Sequence, residues 1–486
     1  VTKEKMEKNF QSIKGSQRGS NSAKNQVGYL PDEMPSLGRA IIFALQQFLV
    51  MLPATVLAAI LMNSRIEIYS ISAAVLASGF ATIAFLIITG FKIPLYYGSS
   101  FSYIPAVGIV AGYAVSNGNT SAETLGAIII ASILSGLMSI GAGILIKKFG
   151  RQTIDRILPP HVTGMIAMII GLSLARVTMQ SLTNSWVASG DFAGIDWLAV
   201  LTGLITFSAT AFFTVRLKKG FISQIPILLG VLVGMAFSYL VWVPFKAGGY
   251  EFYLQGIQST ATLGLLDVMP WVTIPAAFNT GSLILVAVIA IFPIAFATIP
   301  ESAAHVNQVD LYVNELSKEK GGKNYPIKDM LGENLIGDGT GDIIAVLAGG
   351  PAGTNYGENI STSAVTKNFS SYVFLITGIL AIGVGILLEV FHLGNLSLIL
   401  TNPVVQGVSI YLFGAIAVQG VALMISKKVN VFNPKVVAVM AFIAIIGLGV
   451  NSIILTETLM LPGIGLAAIG GILLNLLLSV FDKEKE

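Results

Sequence analysis

Apolar runs close to the ~20 residues needed to cross a bilayer recur along this chain, from about residue 38 to residue 481. Clear examples are "AIIFALQQFLVMLPATVLAAILM", "LGAIIIASILSGLMSIGAGILI", "SLILVAVIAIFPIAFATIP" and "FLITGILAIGVGILLEVF". Lipid offers the backbone no hydrogen bonds, so such runs can cross only as helices or as a closed barrel. The runs are continuous rather than alternating, which selects helices. About fourteen spans are expected if two short, glycine-broken ones are included. Only 11% of the 486 residues are charged, against about a quarter in a soluble domain. The fold class is therefore an all-α polytopic membrane protein.

The net charge of +3 gives no reason to expect a nucleic-acid partner. The placement of the basic residues is more informative. With fourteen spans and an inside N-terminus, 25 of the 28 Lys and Arg fall on one side; Arg65, Arg176 and Lys246 are the exceptions. This positive-inside pattern puts both termini in the cytoplasm of a plasma-membrane protein. The four Trp (Trp186, Trp197, Trp242, Trp271) then fall near the outer interface. Residues 1–35 are polar and mixed in charge, without the apolar core of a signal peptide, and are expected to form a disordered cytoplasmic tail. Residues 36–481 form the transmembrane domain. The absence of cysteine excludes disulfides, thiolate metal sites and thiol nucleophiles.

An internal echo suggests how the spans are arranged. Pro160, Val162, Gly164 and Gly171 recur as Pro403, Val405, Gly407 and Gly414, at a constant offset of 243. Seven spans would separate the copies, and an odd number inverts the second one. The expectation is two inverted seven-segment repeats, about 36–245 and 275–481, a plan used by many secondary transporters. In such folds the site lies where two segments are broken near mid-membrane. Ile93–Gly108 ("IPLYYGSSFSYIPAVG") and Leu347–Thr362 ("LAGGPAGTNYGENIST") read as extended backbone entering a short helix. Irregular backbone at that depth must line a cavity or be buried in protein.

Two carboxylates stand out from those in loops and tails. Glu358 opens the second broken segment, and Glu301 ends an apolar run in "FPIAFATIPESAAHVNQV". An ionisable group at membrane depth costs about 3 kcal/mol or more and usually serves function. His305, four residues after Glu301, shares its helical face. His161 and His392 have no carboxylate nearby in sequence. "GDGTGD", Gly337–Asp342, lacks the Lys of a phosphate-binding loop and reads as a turn entering a short span. No metal-ligand spacing or nucleophile motif is present, so no cofactor and no enzymatic activity are expected.

These residues resemble the nucleobase–ascorbate transporter family, the nucleobase–cation symporters, over roughly residues 36–480. The most specific match is the family signature, read here as Glu358-Asn359-Ile360-Ser361 with Thr366-Lys367 after four more residues. "YYGSSFSYI", "LPPHVTG", "GGPAGTNYGENI" and "NPVVQGVSIYLFG" support it. The context Tyr-Gly-Glu-Asn-Ile is similar to that of bacterial uracil permeases. The resemblance implies core and gate domains, short strands in segments three and ten, and a homodimer. It also implies substrate contacts from the side chains of Glu301 and Glu358 and the backbone amides of Phe101 and Gly357, with His305 as a polar partner. Asn359, Ser361 and Gln47 complete the expected support for coupling. Three departures stand out: Ser361 replaces a signature Gly, Gln47 stands where many members have His, and the loop after His305 is long.

Uracil suits this chemistry. Its N–H groups need acceptors such as carboxylates, and its carbonyls need donors such as free backbone amides. Low dielectric disfavours a charged carboxylate, so Glu301 or Glu358 is a candidate carrier of a coupling proton. H⁺ is the expected ion, with Na⁺ the alternative. A purine permease of the same family is the nearest rival substrate reading. An anion transporter of this architecture would bind its anion at facing helix N-termini, where Glu358 is unfavourable.

Overall fold

The structure, a computed structural model, describes residues 28–150, 158–183, 196–217, 225–246, 263–391, 400–450, 452–456 and 459–481. Trp186, His392 and residues 1–27 of the expected tail lie outside the described residues.

The first half runs α1 (Leu37–Met62), α2 (Ile71–Ile88), β1 (Tyr97–Ser99), α3 (Ile104–Ser116), α4 (Ser121–Phe149), α5 (Pro160–Thr183), α6 (Trp197–Arg216) and α7 (Pro226–Phe237). A π-type segment, Ser238–Trp242, continues α7. The second half runs α8 (Pro270–Ala277), α9 (Gly281–Ile291), α10 (Ala295–Glu319), α11 (Leu331–Leu347), β2 (Gly353–Asn355), α12 (Gly357–Thr366), α13 (Ser371–Val390), α14 (Asn402–Ser426) and α15 (Pro434–Gly449). A hairpin of β3 (Ser452–Thr456) and β4 (Leu459–Pro462) then leads into α16 (Gly463–Phe481). Among the described residues, nine helical segments are long and apolar enough to cross a membrane. The chain is a mostly helical, multi-pass membrane protein.

Helix starts follow local chemistry. Thr120 and Glu123 form a reciprocal capping box at α4. Asp196 caps α6 by accepting from the amides of Leu198 and Ala199, both at 3.1 Å. Pro stands in the first turn of α3, α7, α8, α14 and α15, where its missing N–H costs nothing.

The neighbours pair in a regular way. α4 packs on α11 and α2 on α13; α6 packs on α14 and α5 on α15; α6 lies beside α7 and α15 beside α16. α5 packs on α14, α2 on α11, and β1 on β2. Glycines permit the closest crossings. A Cβ on Gly164 would lie 2.7 Å from the Gly420 carbonyl oxygen, and one on Gly420 would lie 2.4 Å from that of Gly164. Small residues let bilayer helices approach backbone to backbone, where dispersion does the packing.

Three expectations change here. "GDGTGD" is not a turn but mid-helix in α11. Its glycines are contact points: a Cβ would meet Phe85 from Gly337, the Gly136 carbonyl from Gly339, and the Tyr97 ring from Gly341. The stretch after His305 is not a long loop either, because α10 stays helical through Pro300 and on to Glu319. Residues 28–33, within the stretch expected to be disordered, are packed against the rest of the chain. Tyr29 donates its amide to the Lys367 carbonyl at 2.8 Å and accepts from the Phe369 amide at 2.8 Å. Leu30 is buried against Val309, Val313 and Phe369. Lys320 bonds to Glu33 at 2.5 Å and to the Gly28 carbonyl at 2.9 Å. The Tyr325 hydroxyl and the Lys323 ammonium, both bonded to Asp32, hold its carboxyl below the usual range.

Candidate functional site

Both broken segments are short strands followed by short helices. β1 and β2 pair antiparallel, with Tyr97 opposite Asn355, Gly98 opposite Thr354 and Ser99 opposite Gly353. The pairing continues beyond them, since the Tyr356 amide donates to the Tyr96 carbonyl at 2.9 Å and the Ser100 amide to the Ala352 carbonyl at 3.1 Å. Gly98 is required because a Cβ there would lie 2.5 Å from the Tyr356 ring. Phe101–Tyr103 forms a single 3₁₀ turn ahead of α3, and Gly357 is the first residue of α12. The leading amides of a helix have no partner within it, so both segments offer donors and a positive dipole end.

A cavity of about 840 Å³ lies between α1, α10 and α12 on one side and α5 and α14 on the other. Glu301, His305, Gly357, Glu358 and Ser361 all line it. Glu301 and Glu358 are half-buried on its wall. Among the described residues, no Lys or Arg lines it. His305 is 8% exposed, and its Nδ1 has no partner among the described residues. Its ring lies against Gly357, where an added Cβ would be 3.2 Å from Nε2.

The remaining expected residues are placed differently. Phe101 is buried with its ring edge-on to Phe413, centroids 5.9 Å apart; its neighbour Ser102 reaches the cavity. Gln47 and Asn359 sit off the cavity, bonded to each other. The Asn359 amide donates to the Gln47 side-chain oxygen at 2.7 Å and to its backbone oxygen at 3.0 Å. Gln47 in turn donates to Ser363 at 2.9 Å. The trio ties α12 to α1. The Ser361 hydroxyl donates to the Gly357 carbonyl at 3.0 Å.

Glu301 and Glu358 are not the only deep carboxylates, contrary to expectation. Asp338 and Asp342, one helical turn apart on α11, are each 2% exposed. Asp338 has one oxygen without a partner among the described residues. A polar cluster surrounds Ser302, which accepts from Asn334 at 2.7 Å and from Asn355 at 3.0 Å. The signal available in the sequence was the i, i+4, i+8 spacing of Asn334, Asp338 and Asp342.

Paired broken segments beside a largely apolar cavity that carries two carboxylates, within a multi-pass helical bundle, are the plan of a membrane transporter. Residues 38–456 match the permease family designated Xan_ur_permease. The chain belongs to this family, the nucleobase–ascorbate transporters, and is a permease rather than an enzyme. It is 32% identical over 451 residues to the uracil permease of Bacillus caldolyticus, covering 92% of this chain and 93% of that one. It is 29% identical to the uracil permease of Bacillus subtilis (strain 168), covering 95% and 98%. Among solved structures, the transmembrane domain of the cyanobacterial bicarbonate transporter BicA superimposes with a TM-score of 0.57 at 14% identity, covering 93% of this chain and all of that one. Murine Slc26a9 in its inward-facing state gives 0.62 at 11% identity, covering 98% and 76%. These likenesses speak to the fold alone.

Proposed function

We propose that the chain imports a nucleobase, uracil in the first instance, by proton-coupled symport with alternating access across the plasma membrane. The observation that carries this is the meeting of Glu301, Glu358, His305 and Gly357 on one cavity. Its volume falls within the ~300–1,000 Å³ range of small-molecule sites. The carboxylates accept from the pyrimidine N–H groups, and the amides of Phe101 and Gly357 donate to its carbonyls. A site with two carboxylates and no lining cation needs positive charge when a neutral base enters and water leaves. A proton on Glu301 or Glu358 supplies it, with Na⁺ the alternative; no cofactor is needed. His305 orients Glu301, while Gln47, Asn359 and Ser361 fix α12. The uracil permeases among the relatives favour a pyrimidine over a purine.

The fourteen-segment inverted repeat is part of this reading. Exchanging α1 with α9–α10, α2 with α11, β1–α3 with β2–α12, and α4 to α7 with α13 to α16 turns the pairs α4–α11, α6–α14 and α6–α7 into the observed pairs α13–α2, α15–α5 and α15–α16, and maps α5–α14, α2–α11 and β1–β2 onto themselves. The core then holds the strands and the gate holds α5–α7 and α14–α16, in a homodimer with both termini cytoplasmic.

The test is uptake of labelled uracil into proteoliposomes with an imposed pH gradient. Glu301→Gln and Glu358→Gln should each abolish gradient-driven accumulation. Wild-type accumulation by both variants would refute the reading. Competition by xanthine stronger than by unlabelled uracil would move the assignment to purines.

A further inference from the structure

Asp342 lies outside the cavity, yet three elements of the site converge on it. Its Oδ1 accepts from the Tyr97 hydroxyl at 2.5 Å and from the Gly353 amide at 2.9 Å. Its Oδ2 accepts from the Tyr103 hydroxyl at 3.4 Å. Tyr97 belongs to β1, Gly353 opens β2, and Tyr103 closes the 3₁₀ turn that starts at Phe101. The Gly353 amide also reaches the Tyr97 oxygen at 3.0 Å, so the three groups form a closed triangle. Space for the ring is built in: a Cβ on Gly341 would lie 2.7 Å from it, and one on Gly353 would lie 2.6 Å from it. Tyr103 extends the network to Ser135 of α4 at 3.0 Å. The groups bonded to the carboxylate are neutral, and nothing in this arrangement touches the cavity wall.

We propose that Asp342 is a positioning residue for substrate recognition: through Tyr97, Tyr103 and Gly353 it sets the two strands so that the Phe101 and Gly357 amides meet the substrate carbonyls. One carboxyl oxygen serves both strands at once, accepting from Tyr97 of β1 and from Gly353 of β2. β2 runs only two residues from Gly353 to its end at Asn355, so an error at Gly353 is carried directly to Gly357. The proposal rests on the nucleobase reading above.

The experiment uses full-length protein in proteoliposomes and reads KM and Vmax for uracil in Asp342→Asn, Tyr97→Phe and the double variant. Asp342→Asn should raise KM about tenfold or more, since small misplacements of binding groups are costly. Vmax should stay within about twofold. Tyr97→Phe should raise KM about threefold, and the double variant should be no worse than Asp342→Asn, because both act through one network. A purely structural role would instead lower Vmax with the amount of folded protein and leave KM alone. Unchanged KM in both single variants would overturn the proposal, as would losses that multiply as independent effects. Should Asp342→Asn fail to fold, Tyr97→Phe decides, and a wild-type KM in it overturns the proposal. A wild-type protein that transports no uracil would instead sink the nucleobase reading.

Discussion

Replacing Gly357 by Ala should weaken substrate binding while leaving the fold intact. Gly357 has no positive φ, so its backbone accepts an L side chain. It opens α12, where Ala is the better helix former by up to about 1 kcal/mol. The added Cβ, however, would stand 3.2 Å from His305 Nε2, closer than ordinary contact. Either the ring or the start of α12 must yield by a few tenths of an ångström. A misplacement of about 1 Å costs about a hundredfold, so a shift of about 0.3–0.5 Å should cost roughly four- to tenfold in affinity. The measurement pairs isothermal titration of uracil with thermal unfolding of the purified protein. The expected result is a Kd raised by that factor with a Tm within about 2 °C of wild type. Wild-type affinity would refute the argument that this contact sets the site, and a large fall in Tm would refute the claim that the substitution is local.

Two further outcomes are expected. Gln47→Ala should lower stability by about 2–4 kcal/mol, because it strips a buried partner from Asn359 and from Ser363; an unchanged melting temperature would contradict this. The Tyr325 hydroxyl and Lys323 hold the Asp32 carboxyl below its usual range. Its contribution is therefore present above about pH 4 and is lost as pH falls through the folded-state value. Hydrogen exchange at the Tyr29 and Phe369 amides should rise, relative to the intrinsic rate, as pH drops below 4, and should already be raised at pH 7 in Asp32→Asn; wild-type protection in that variant would count against it.

Much of the site was legible because its signals break an otherwise apolar pattern. Proline, glycine and serine marked both strands, and the four-residue spacing put Glu301 and His305 on one face. The buried Asp338 and Asp342 were hidden by their glycines. Alternating Gly and Asp has the composition of a turn, whereas here each Gly admits a neighbouring element and the chain stays helical. Proline ordinarily breaks a helix interior, yet α10 runs through Pro300. The Gly28–Glu33 segment has no periodicity to read, since its order comes from partners nearly 300 residues away, such as Lys320. The β3–β4 hairpin was likewise unannounced, with a polar Thr-Glu-Thr interrupting apolar runs.

The pairing of β1 with β2 has a consequence for biosynthesis. Thr354 is made 256 residues after Gly98, its partner. At about 5–20 residues per second, the ribosome delivers the second strand roughly 13–51 s after the first. Through that interval the amides and carbonyls of β1 face hydrocarbon or water without their eventual mates, a condition the bilayer interior penalises heavily. The early half of the chain therefore waits, incompletely seated, for the late half to close the seam. Severing the gene between the halves should yield two fragments that mature only when made together.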